Sequence, residues 1–149
     1  MDEGNYLRLV FVADRWDDED GRLFIYVCNN GFAGQADLYF TKQELADFAV
    51  GLTSFPFSVA AVPVVARRSF ANADGSCREE ITLTVQPYGW NGKIQVTVLL
   101  ITTSIGEGGE LTHTCQTVLV TDHEPLRRFS QAIHSMLRGN VDEAILNTA

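Results

Sequence analysis

Ile81, Leu83 and Val85 alternate with Thr82, Thr84 and Gln86, and beyond Asn91-Gly92 the same period of two resumes with Ile94, Val96, Val98 and Leu100. Successive side chains of a strand point to opposite faces, so this pattern gives each segment one apolar and one polar side, which a helix cannot do. Asn-Gly is the strongest short hairpin signal, because both residues tolerate the positive φ angles of a tight turn. The pattern therefore predicts an antiparallel hairpin whose second strand runs over 94–103. Its apolar face demands a cover from elsewhere in the chain.

Two helical stripes supply that cover. Thr41-Lys42-Gln43-Glu44 has the capping-box spacing, in which the threonine oxygen and the glutamate carboxylate each satisfy an orphan N–H at a helix start. Leu45, Phe48, Ala49 and Leu52 follow at i, i+3, i+4 and i+7, and Phe55-Pro56 marks the end. Thr121-Asp122-His123-Glu124 repeats the spacing, with Pro125 in the first turn. Leu126, Phe129, Ile133, Met136 and Leu137 make the second stripe, and Gly139 closes it. Asn140 and Glu143 predict a short final helix over 141–146.

The other segments read as strands. Residues 6–13 and 23–28 flank an Asp20-Gly21 turn, and both their faces are largely apolar, which predicts central places in a sheet. Asn29-Asn30-Gly31 and Gly34 break the chain before a short strand over 36–40. Residues 59–66 contain Pro63, whose missing donor predicts an edge strand or a bulge. Residues 72–76 are a loop, and the glycines of 106–109 predict a flexible connection to a last strand over 112–120. The predicted fold is α+β, a mainly antiparallel sheet of about six or seven strands with two long helices on one face. With 149 residues, of which 46% are hydrophobic, a single domain spanning the chain is expected. Leu38-Tyr39-Phe40-Thr41 with Glu44, Leu45 and Phe48 resembles Val118-Leu119-Val120-Thr121 with Glu124, Leu126 and Phe129. Either a duplicated strand-helix unit or capping chemistry alone accounts for it.

The net charge is −8, and residues 1–50 hold ten acids against four bases, a local balance of −6. Such a chain repels polyanions, so nucleic acid and anionic membrane are not expected partners. Cys28, Cys77 and Cys115 are an odd set without CxxC spacing, which argues against a disulfide framework. No apolar run reaches the ~18 residues of a membrane helix, and the acidic start lacks a signal peptide's basic region. A cytoplasmic protein is expected.

No residue constellation announces chemistry, so a non-enzymatic protein without cofactor or metal is expected. Trp16-Asp17-Asp18-Glu19-Asp20-Gly21 concentrates carboxylates, yet an EF-hand ending its first half on Gly21 would need ligands at Trp16 and Val27, which offer none. The segment reads as a solvated hairpin loop or as a negative contact patch for a basic partner. His113, Cys115 and His123 do not converge on one zinc ion, because His123 lies in a helix beyond the strand that carries the other two. His113 and Cys115, two apart on a strand, stand ~7 Å from each other, too far for a nucleophile pair. His134 reads as a surface or boundary residue of the second helix, and Trp90 and Phe32, beside glycines, read as packed rings or exposed interface anchors.

Gly31-Phe32-Ala33-Gly34, the strand over 36–40, the capped helix with Leu45 and Phe48, Phe55-Pro56, and the closing strand and helix with Leu126 and Phe129 resemble the WapI-type immunity proteins of bacterial contact-dependent toxin systems. The resemblance spans the first third and the last quarter of the chain. It implies a small cytoplasmic α+β protein that neutralises a toxin domain by binding it. On that reading the partner-binding residues are Trp16, Asp17, Asp18, Glu19 and Asp20, and the partner is a basic toxin domain. Two alternatives stand beside it. One is a ligand-binding or enzymatic domain with a pocket between helices and sheet, lined by Tyr26, Tyr39, His113 and Cys115. The other is a homodimer joined through an exposed strand edge.

Overall fold

A computed structural model describes residues 4–54, 63–71 and 77–148. In chain order the elements are β1 (Asn5–Ala13), β2 (Asp20–Asn29), β3 (Phe32–Thr41), α1 (Lys42–Leu52), β4 (Val64–Ala71), β5 (Cys77–Tyr88), β6 (Lys93–Gly106), β7 (Gly109–Thr121), α2 (His123–Leu137) and β8 (Glu143–Thr148). The fold is α+β, but the strands form two four-stranded antiparallel sheets in place of the single sheet expected, with orders β3-β2-β1-β8 and β4-β5-β6-β7.

The alternation at 81–100 does set β5 and β6: Ile81, Leu83, Val85, Ile94, Val96, Val98 and Leu100 are buried. They share one core with Leu7 and Leu9 of β1, Leu23, Ile25 and Val27 of β2, and the stripes of both helices. The helices touch each other, and the Ser130 hydroxyl donates to the Ala49 carbonyl at 2.6 Å inside that contact. β1 and β2 are the central strands of the first sheet, as expected, although their outer faces carry Arg8 and Arg22 among the apolar and aromatic side chains.

Connectivity repeats. The path β1-β2-β3-α1-β4 has the same element order as β5-β6-β7-α2-β8. Each half gives its last strand to the other's sheet, β4 beside β5 and β8 beside β1. The similarity of 38–48 to 118–129 thus belongs to a repeat of the whole element order.

Several boundaries differ from the sequence reading, each for a local reason. The short final helix is instead β8, where Ala144 and Leu146 are buried while Ile145 is exposed. A period of two along the open edge of β1 overrides a helix too short to persist alone. The third strand begins at Phe32, because Asn30 and Gly31 take positive φ (51° and 87°) and make a two-residue hairpin turn. Asn91-Gly92 does not make the tight turn by itself. Tyr88 faces Lys93 across four residues, and the positive φ falls on Gly89 and Gly92. The connection at 106–109 is a tight turn too, with Gly106 facing Gly109. The edge strand is β4, beginning just after Pro63, whose carbonyl accepts from the Val85 N–H at 3.0 Å. Phe55-Pro56 and the loop at 72–76 lie outside the described residues.

The first capping box forms as expected, with Thr41 and Glu44 exchanging hydrogen bonds at 3.0 Å. The second does not. Thr121 stays in the ladder opposite Ile94, so Asp122 becomes the N-cap without a side-chain capping bond and pairs with Lys93 instead. Gly139, at φ 80°, ends α2: its N–H reaches the Met136 carbonyl while Asn140 reaches Ser135, a Schellman closure.

Candidate functional site

The first sheet buries one face and leaves the other half open, and that open face gathers arginines and aromatic rings. Arg8 lies opposite Tyr26, with its guanidinium carbon 5.0 Å from the ring centre, and its Nε donates to Glu143 on β8. Arg22 lies opposite Tyr39 in the same way, again at 5.0 Å, and its Nε donates to Asp37. One device therefore occurs twice: a guanidinium stacked on the tyrosine of the neighbouring strand and tied to a carboxylate. Cation–π contact and ion pair together hold each planar fork in one orientation. The hydrogen bond to Asp37 is the main reason the Arg22 pKa is raised above its ordinary value. Phe24, Tyr6 and Val10 fill the rows between. At the β3 edge, Phe24, Tyr26, Gln35, Asp37 and Thr102 line an open depression of about 320 Å³.

The acidic loop joins β1 to β2 and so borders this face. It is folded upon itself: the Asp14 carboxylate accepts from the Trp16 N–H at 2.9 Å, and the Asp17 carboxylate from the Glu19 N–H at 3.1 Å. The Asp14 N–H closes on the Asp20 carbonyl at 2.8 Å, and the Lys42 N–H, first in α1, donates to the Glu19 carbonyl at 2.8 Å. Asx turns of this kind present side chains outward from a defined backbone. Asp17, Asp18 and Glu19 are exposed, Asp20 is half-buried, and the Trp16 ring is 89% exposed with Arg15 against it at 5.6 Å.

The chain matches no protein-family model, no curated protein and no solved structure.

The remaining singled-out residues are dispersed. Tyr26 and Tyr39 belong to the open face of the first sheet and not to a pocket between helices and sheet. His113 stands exposed on β7, its Nε2 2.9 Å from the Ser104 hydroxyl. Cys115 is half-buried against Gly34, where the two sheets approach each other. Trp90 is fully exposed at the β5–β6 turn and Phe32 is 69% exposed, so both are open rings. Among the described residues no group of three or more His, Cys, Asp or Glu could hold a metal ion, and no helix is long and apolar enough to cross a membrane.

Sequence reasoning located the loop but missed Arg8, Arg22, Phe24 and Tyr6. Their signal was present: Tyr6 and Arg8 in β1, and Arg22, Phe24 and Tyr26 in β2, alternate with buried Leu7, Leu9, Leu23 and Ile25.

Proposed function

We propose that this protein is a non-enzymatic binding module of the immunity type, cytoplasmic in its host, that blocks a basic toxin domain through the open face of its first sheet and the acidic loop beside it. The observation that carries this reading is the doubled arginine–tyrosine–carboxylate device on an open face. Arginine and tyrosine dominate interface energetics, and groups already held in place lose little entropy on binding. The loop at Trp16, Asp17, Asp18, Glu19 and Asp20 contributes a negative field that steers a basic partner, and the Trp16 ring is an anchor at its rim.

The test begins with the toxin domain of a secreted protein encoded in the neighbouring reading frame. Co-expression of this chain protects cells against that domain, and the purified pair associates faster at low salt. Reversing Asp17, Asp18, Glu19 and Asp20 to lysine slows association by roughly tenfold or more and removes most of the salt dependence. Replacing Arg8 and Arg22 with alanine accelerates dissociation. Unchanged kinetics in both variants would reject this surface, and absence of any complex would reject the reading.

A further inference from the structure

We propose that the β7 edge joins two copies of this chain into a symmetric dimer, pairing antiparallel over 112–116 with Thr114 on the two-fold axis. Gly106 faces Gly109 across a two-residue turn, and the pair that flanks such a turn is hydrogen-bonded. Backbone groups of odd-numbered residues along β7 therefore point to β6, and those of Thr112, Thr114 and Gln116 point away from the sheet. Asn29 agrees with this phase: its Nδ2 donates to the Val118 carbonyl at 2.8 Å from outside the ladder. Among the described residues nothing bonds the outward groups of Thr112, Thr114 and Gln116.

Proteins ordinarily blunt such edges with charge, proline, bulges or brevity. Among the described residues the other edges comply. β4 carries Arg67 and Arg68, β3 carries Asp37 at mid-strand, whereas Glu110 of β7 stands only at the turn end, and β8 is only six residues long. β7 has 13 residues in unbroken register, without proline, lysine or arginine, and Glu110 is its one carboxylate.

The edge fits a second copy of itself. Two chains of net charge −8 repel over most of their surface, whereas 111–121 carries neither carboxylate nor ammonium nor guanidinium. Centring the pair on Thr114 sets Thr112 against the partner's Gln116, a pairing that is its own mirror under the two-fold. The Glu110 carboxylates fall at opposite ends, each beyond the paired stretch. The Asn29 bond at Val118 ends the paired stretch on that side, and a two-fold pairing uses the one β7 edge of each chain, so the contact closes at two chains.

Sedimentation equilibrium on the full chain, from micromolar to millimolar, gives a mass approaching twice 16.5 kDa. Thr114→Lys brings two ammonium groups together at the axis and raises the dissociation constant by at least about tenfold. Thr84→Lys, on the outward side of the same sheet but in the interior strand β5, leaves it unchanged. Amide exchange at Thr112, Thr114 and Gln116 slows as concentration rises. A wild-type mass of one chain throughout overturns the proposal, and so does a Thr114→Lys dimer as tight as the wild type. Neither outcome bears on toxin binding, which is read with a different partner at a different surface.

Discussion

At Gly34 the first sheet meets Cys115 of the second, and the lack of a side chain there makes room for the contact. A Cβ built there would lie 2.6 Å from the Cys115 Cβ and 2.7 Å from its Sγ. The contact cannot be relieved by swinging a long side chain away, since one of the two atoms is itself a Cβ. Gly34→Ala is therefore expected to destabilise the fold by about 1–3 kcal/mol, the usual range for overpacking. Urea denaturation at unchanged slope measures it. Adding Cys115→Gly to Gly34→Ala removes the opposing atoms and should recover part of the loss. A second residue-level expectation concerns Glu124, whose carboxyl is held below its ordinary pKa chiefly by the hydrogen bonds from Arg127 three residues on. The pairing is thus complete above the ordinary glutamate value and is lost as pH falls through the lowered one. An NMR titration of Glu124 shows the depressed midpoint, and Arg127→Gln returns it to the usual range. Salt shrinks the difference, because both groups are exposed.

Helices α1 and α2 begin on similar sequences and end up with different caps. Thr41 and Glu44 satisfy each other's N–H groups, so Thr41→Ala is expected to cost about 1 kcal/mol. Asp122 makes no such bond and only an exposed pair with Lys93, so Asp122→Ala costs less, within about 0–1 kcal/mol. Urea midpoints of the two variants give the order; equal losses would mean that the caps are equivalent. This pair also shows how far local sequence reaches. The stripes Leu45–Leu52 and Leu126–Met136 were legible because a helix is specified by residues a turn apart. The cap of α2 was not, since Thr121 is held in a ladder by Ile94, which no local pattern reveals. β8 was illegible for the same reason, as its partner β1 lies at the other end of the chain. Arg8 and Glu143, 135 positions apart, meet only through that pairing. Of the candidate surface, the acidic loop could be read directly, whereas the arginine–tyrosine stacks depend on which strands become neighbours.

At the scale of the molecule, the exchange of last strands ties the halves together. The first sheet is completed by β8, which follows α2, and the second by β4, which follows α1. Neither 4–71 nor 77–148 can close its own sheet, and both helices share one core with both sheets. Unfolding is therefore expected to be a single cooperative transition in spite of the repeated element order. Leu146 tests this directly, because it is fully buried on β8 in the first sheet and lies far along the chain from the strands it supports. Leu146→Ala should cost about 2–5 kcal/mol, the range for truncating a buried leucine. In a cooperative molecule, the slowest amides of β5 and β6, in the opposite sheet, lose as much protection as those of β1 and β2. If the β5 and β6 amides kept wild-type protection while β1 and β2 lost theirs, each sheet would open on its own, and the exchanged strands would be a matter of topology without energetic coupling.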